Sequence, residues 1–259
     1  MQRFAGKTVF ITGGTGGQGA SHMQAYLDEG ANVVIGDIRD EVGASLVDGL
    51  GDRALYVHLD VTSESDWADA IRATEARFGP VSILVNNAGI GSPPVLIEDG
   101  TLEDWQRIIA VNLTGSFLGI RAVTPSLKKA GGGSIVNIAS MAANTGIAYL
   151  APYVASKWGV RGLTQTAALE LGRLDVRVNS IHPGVVDTPF ITEPMRPGVA
   201  PVSDHYSPDA FAIKRLAQPR DITELLLFLT SDAASFITGS EFVADGGLLL
   251  GPAVPADAA

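Results

Sequence analysis

Apolar residues in this chain fall into short runs separated by longer stretches of mixed polarity. Runs rich in β-branched residues occupy residues 8–12, 31–37, 54–60, 83–86, 134–140 and 176–182, with a weaker seventh at 241–244. The intervening stretches carry helical spacing, as in Ser65, Trp67, Ile71, Thr74 and Phe78. Strands that alternate with helices return over the sheet by right-handed crossovers and form a parallel sheet covered on both faces. The pattern predicts a single doubly wound α/β domain over residues 1–259, with about seven strands and helices on both faces. Six prolines, from Pro183 through Pro208, mark residues 189–214 as a long excursion above the sheet. Long loops in compact domains usually carry function.

Composition narrows the function classes. Hydrophobic residues make up 46% and charged residues 18%, the balance of a globular chain. A net charge of -10 repels phosphate backbones and argues against nucleic acid as a partner. With no cysteine, neither disulfides nor thiolate metal sites exist, which fits a reducing cytoplasm. No secretory leader precedes Lys7, and apolar runs such as residues 225–229 are too short to span a membrane, so a soluble cytoplasmic protein is expected. His22, His58, His182 and His205 have no paired ligand spacing, so no metal site is expected; packing or surface roles suit His22 and His58, and His205 lies in the variable loop.

The first strand runs into Thr12-Gly13-Gly14-Thr15-Gly16-Gly17-Gln18-Gly19 and then a helix. Glycines there permit a tight turn and close approach of a pyrophosphate, and the helix start adds free N–H groups. The alternative is a merely flexible turn. The second run ends at Asp37, where a carboxylate can accept both adenosine ribose hydroxyls of NAD and repel the 2′-phosphate of NADP. Arg39 competes as a phosphate ligand, and helix capping is the plainer reading of Asp37. Asp60-Val61, ending the third run, can reach the adenine or cap the next helix.

Tyr153 and Lys157 are four apart, on one face of a helix opened by Pro152. A free tyrosine titrates near ~10, too high for a base at neutral pH. An ammonium ~4 Å away at an effective dielectric of ~20 supplies about 4 kcal/mol, or roughly three pKa units. Such a tyrosine suits general acid/base work. Ser140 ends the fifth run at the carboxyl edge, where its hydroxyl can reach a substrate oxygen or serve only a turn.

In order, Thr12-Gly13-x-x-x-Gly17-x-Gly19, Asp60-Val61, Asn86-Asn87-Ala88-Gly89, Asn112, Ser140, Tyr153-x-x-x-Lys157, Asn179 and Pro183-Gly184-x-x-x-Thr188 resemble the short-chain dehydrogenase/reductase family across residues 5–251. Residues 132–138, 155–163 and 245–247 are similar to its bacterial hydroxysteroid dehydrogenases. The resemblance implies a Rossmann-type fold and an NAD-dependent oxidoreductase. It implies that Tyr153 transfers the proton, Lys157 lowers its pKa and holds the ribose, Ser140 orients the carbonyl, and Asn112 holds a relay water. It implies NAD contacts from Gly13, Gly17, Gln18, Gly19, Asp37, Ile38, Asp60, Val61, Asn87, Ala88, Gly89, Pro183, Gly184, Val186 and Thr188, besides Tyr153 and Lys157. It implies a homotetramer paired through residues 101–129, 152–172 and the last strand. Gly16, where NADP-preferring relatives often carry a basic residue, favours NAD.

Residues 189–214 match the hydroxysteroid dehydrogenases poorly, so the substrate is read from the loops over the site. Pro93, Val95, Leu96, Met141, Ile147, Tyr149, Leu150, Phe190, Ile191, Met195, Val199, Tyr206 and Phe211 offer an apolar wall, with Arg196 as a cation among them. Ser140, Tyr149, Tyr153 and Phe190 are the expected substrate contacts. The expected substrate is a hydrophobic secondary alcohol or its ketone, alicyclic, aryl or steroid-like. A non-catalytic NAD-binding regulator of the same fold is the alternative, as is a lyase- or dehalogenase-type relative. The intact Ser140, Tyr153 and Lys157 speak against the first, and the glycine turn against the second.

Overall fold

A computed structural model describes residues 2–194, 198–251 and 253. Seven strands, β1 (Thr8–Thr12), β2 (Asn32–Asp37), β3 (Ala54–His58), β4 (Ile83–Asn86), β5 (Gly133–Ile138), β6 (Val176–Pro183) and β7 (Glu241–Ala244), form one sheet in the order β3-β2-β1-β4-β5-β6-β7. Every pairing is parallel. The order reverses beside β1, and the crevice over the carboxyl ends of β1 and β4 is where such sheets bind ligands.

The helices are α1 (Gly17–Asp28), α2 (Asp40–Val47), α3 (Glu64–Phe78), α4 (Leu102–Ile109), α5 (Gly115–Lys129), α6 (Ala151–Leu171), α7 (Pro189–Thr192) and α8 (Pro219–Thr230). Successive strand residues face opposite sides. Val9, Ile11, Val33 and Ile35 therefore pack with Met23 and Tyr26 of α1 and with Ile222 and Leu226 of α8. Phe10, Val34 and Leu84 face the other way, onto Trp67 of α3, Val123 and Leu127 of α5, and Leu171 of α6. Each such buried side chain contributes about 1.5–3 kcal/mol against exposure. Leu226, Leu227 and Leu229 of the run at 225–229 are core residues, and Phe228 is exposed.

Residues Leu102–Lys129 form a continuous helical stretch that by length and composition alone is apolar enough to cross a membrane. It packs on α3 and α6 as a core helix does. At Ala110–Thr114 it widens into a π-helical turn containing Asn112.

A buried polar line crosses the sheet. Asn86 Nδ2 on β4 donates to Asn137 Oδ1 on β5 at 2.8 Å, and Asn137 Nδ2 donates to Thr164 Oγ1 on α6 at 2.8 Å. The long excursion contains α7 and 3-10 turns at Val202–His205 and Pro208–Ala210. It is anchored by a Val186–Ala217 bridge and by packing among Val185, Ile191 and Phe211.

Candidate active site

The cavity over the carboxyl edge has a volume of about 550 Å³. All seventeen expected cofactor contacts line it: Gly13, Gly17, Gln18, Gly19, Asp37, Ile38, Asp60, Val61, Asn87, Ala88, Gly89, Tyr153, Lys157, Pro183, Gly184, Val186 and Thr188. Ser140 and Phe190 line it too.

At one end the glycine turn is latched to its neighbours. Thr12 Oγ1 accepts from Asn87 N and Ala88 N, each at 3.0 Å, and Asn87 Nδ2 donates to Thr12 O and Gly13 O. Gly13 has φ +63, and a Cβ on Gly19 would stand 2.3 Å from Gly13 O. Side chains would fill this cradle. No side chain caps the N-terminus of α1, leaving first-turn N–H groups to face a ligand. Asp37, 8% exposed, accepts from Thr15 N at 3.1 Å and Thr15 Oγ1 at 2.5 Å. The backbone N of Arg39 donates to its other oxygen, and the Arg39 Nε stands 3.6 Å away. Thr15 is a partner that sequence reasoning did not identify; a hydroxyl in a glycine-rich turn carries no spacing signal. Asp60 lines the cavity, but it does not cap the next helix: its carboxylate accepts from Thr62 N and Oγ1. The cap of α3 is Ser63.

At the other end Tyr153 and Lys157 rise from the first turns of α6, where Pro152 costs no hydrogen bond. Lys157 Nζ lies 5.7 Å from the Tyr153 ring centroid and donates to Ile138 O at 3.0 Å. Burial lowers the lysine to about 8. The tyrosine is raised by burial, and its hydrogen bond with the Ser140 hydroxyl acts the other way. This differs from the expectation that Lys157 lowers Tyr153: the ammonium is turned to a carbonyl rather than to the phenol. Ser140 Oγ also accepts from Ala142 N, which fixes its direction.

Asn112 does not line the cavity. Its amide accepts from Ile90 N and donates to Ile90 O and Ser156 Oγ, tying the wall after β4 to α6. A Cβ built on Gly89 would stand 3.4 Å from Asn112 Oδ1 and 3.5 Å from Lys157 Nζ, so the three meet at one point.

The expected apolar wall is smaller than the sequence indicated. Of its described residues only Phe190 and Ile191 line the cavity; Met195, like Arg196, lies outside the described residues. Tyr149 does not line the cavity: it has φ +69, it is 55% exposed, and its carbonyl accepts from Val95 N. Met141 and Phe211 are buried in packing. Apolar side chains carry no signal that separates pocket from core. Lys214 ends the excursion as an exposed cation that the reading of the loop omitted, and Glu193 lines the cavity beside Phe190. His205 is exposed; His22 is buried against Thr223 and His58 pairs with Asp40. Among the described residues no cluster of metal-ligating side chains is found.

A parallel Rossmann-type sheet, a glycine cradle and a serine–tyrosine–lysine group at one crevice define an oxidoreductase class. The chain belongs to the short-chain dehydrogenase/reductase family: the family model described as enoyl-(acyl carrier protein) reductase matches residues 15–249. It is 47% identical, over 96% of its length and 92% of the relative's, to a 3-alpha-(or 20-beta)-hydroxysteroid dehydrogenase of Mycobacterium bovis. It is 43% identical to a trans-4-hydroxycyclohexanecarboxylate dehydrogenase of Sinomonas cyclohexanicum, covering 99% and 98% of the two chains. The fold is similar, with a TM-score of 0.87 and 35% identity over 94% of this chain and 98% of the other, to a 3-ketoacyl-(acyl-carrier-protein) reductase from Brucella melitensis solved with NADH.

Proposed function

We propose that the protein is an NAD-dependent dehydrogenase that interconverts a hydrophobic secondary alcohol, alicyclic, aryl or steroid-like, and its ketone. The observation that carries this reading is one continuous cavity joining the glycine cradle and Asp37 to Ser140, Tyr153 and Lys157. The residues fit a dinucleotide: the cradle excludes side chains, α1 offers free N–H groups, and a carboxylate ends β2. Gly13, Gly17, Gln18 and Gly19 would hold the pyrophosphate, and Asp37 the adenosine ribose, disfavouring a 2′-phosphate. Val186 and Thr188 would hold the nicotinamide end. The bound nicotinamide supplies or accepts the hydride.

The chain's own residues move the proton. In ketone reduction the Tyr153 hydroxyl donates to the carbonyl oxygen while Ser140 hydrogen-bonds the same oxygen. In alcohol oxidation the phenolate takes that proton back, and general acid/base steps of this kind contribute about 10²–10⁴ in rate. The buried Lys157 would hold the nicotinamide ribose, and Asn112 ties the wall after β4 to α6. Phe190, whose ring centroid is 6.4 Å from that of Tyr153, offers an apolar face to a ring substrate. The hydroxysteroid and hydroxycyclohexane names of the relatives agree with an alicyclic substrate.

The test is a panel with NADH: cyclic and aryl ketones, a steroid ketone, a keto acid and a ketose. The highest kcat/KM is expected among the uncharged ring ketones; a keto acid or ketose at the top would overturn the substrate class and leave the dehydrogenase reading intact. A homotetramer is part of the same reading. Trp105 of α4, Phe117 of α5, and Trp158 and Leu169 of α6 expose apolar surface where pairing helices would cover it. Sedimentation reads the assembly directly.

A further inference from the structure

The 3-10 turn Met141–Ala143 that follows Ser140 is held at three places. Ser140 Oγ accepts from Ala142 N at 3.1 Å, Arg161 Nη1 donates to Ala143 O at 3.3 Å, and His182 Nδ1 stands 2.5 Å from Asn144 Oδ1. His182 is fully buried on β6, one residue before the cavity-lining Pro183. Its Nε2 is 2.8 Å from Ser180 Oγ. An amide oxygen only accepts, so Nδ1 carries the hydrogen. Burial pushes the group down to about 4, Glu241 raising it and Arg161 and Lys157 lowering it further, which leaves the ring neutral; Nε2 then accepts from the serine hydroxyl.

We infer that His182 is a positioning residue for the reaction: through Asn144 it holds the turn that aims the Ser140 hydroxyl at Tyr153. This rests on Ser140 orienting the substrate oxygen, as proposed above. The chain of contacts is short. Asn144 caps the turn whose first residue follows Ser140, so movement at the cap displaces the serine. Reacting geometry tolerates little of this; a misplacement of ~1 Å can cost about a hundredfold in rate.

The experiment measures steady-state ketone reduction, NADH affinity by fluorescence and thermal melting in four variants. His182→Leu and Asn144→Ala should each lower kcat by about tenfold to a hundredfold, with NADH affinity unchanged. His182→Asn, whose amide N–H stands where Nδ1–H stood, should restore kcat to within about threefold of wild type. His182→Leu strands the buried Ser180 hydroxyl and can fail to fold; Asn144→Ala, on a half-buried turn, then carries the test. Wild-type kcat in Asn144→Ala overturns the inference, as does equal loss in folded His182→Leu and His182→Asn. Ser140→Ala separates the two levels. If it stays fully active, the reading of Ser140 itself falls; if it is impaired while Asn144→Ala is not, only the role of His182 falls.

Discussion

The two ends of the cavity are built by different means. At the cofactor end, backbone is held to backbone-bound groups from the central strands: Gly13 N donates to Gly36 O at 2.8 Å, and Thr12 and Asn87 latch the turn after β1 to the segment after β4. At the substrate end, the excursion after Thr188 makes mostly local side-chain contacts, such as Ser203 with Asp204 and Ser207 with Asp209. It docks through apolar packing of Ile191 and Phe211 on Val185. Hydrogen bonds from strand ends leave little choice of residue, whereas apolar packing accepts many side chains of similar volume. One end is therefore committed to a single ligand geometry, and the other is open to change of substrate.

If that division holds, substitutions at the two ends should separate cleanly in kinetics. The largest effect belongs to the junction. Tyr153→Phe should lower kcat by at least about 10²–10⁴ while NADH still binds, and a folded variant that keeps its activity removes the tyrosine from the chemistry. Next is the cofactor end. Asp37→Ser combined with Ile38→Arg should move the NAD to NADP ratio of kcat/KM by at least about tenfold toward NADP, since like-charge contacts cost several kcal/mol. Wild type preferring NADP would refute the assignment of Asp37.

A smaller effect tests the charge buried between the ends. Lys157 falls from its usual 10.5 to about 8 through burial. The folded protein thus gives up this proton more readily than the unfolded chain. The buried ammonium costs stability below about pH 8, and the cost fades as pH rises toward 10.5. Lys157→Met should be more stable than wild type at neutral pH, with an advantage that shrinks by about 1.4 kcal/mol per pH unit across that window. Denaturant titrations at stepped pH measure it, and a flat difference contradicts a depressed lysine. The smallest effect is at the substrate end. Phe190→Ala should raise KM for ring ketones by about tenfold or less and leave NADH affinity alone, as for loss of one apolar contact. A change in NADH affinity instead would mean the two ends are not independent.

The same division explains what could be read before the structure. Strand edges shifted by at most two residues, because a β-branched run bounded by glycine or asparagine has few other ways to fold. Gly13 and Gly19 were legible since a positive φ and a 2.3 Å approach demand glycine. Tyr149 and Phe190 looked equivalent in sequence, yet one is on the surface and the other on the cavity. The path of the loop decides between them, and that path follows from long-range packing. The Thr15–Asp37 contact and the lysine's turn toward Ile138 O were likewise invisible, being products of side-chain rotamers.

The line from Asn86 through Asn137 to Thr164 has a mechanical meaning. Valines and isoleucines slipped by two residues along a strand would pack almost as well as before. An amide with fixed buried partners would not, because a stranded polar group costs about 1–3 kcal/mol. Asn137 stands three residues before Ser140 on the same run of chain, and Thr164 stands three turns beyond Tyr153 on α6. Their hydrogen bond keys strand to helix like a tooth in a rack. The spacing of the Ser140 and Tyr153 hydroxyls is thus indexed deep in the core, away from the cavity, and mutations that reshape the pocket can leave that index untouched.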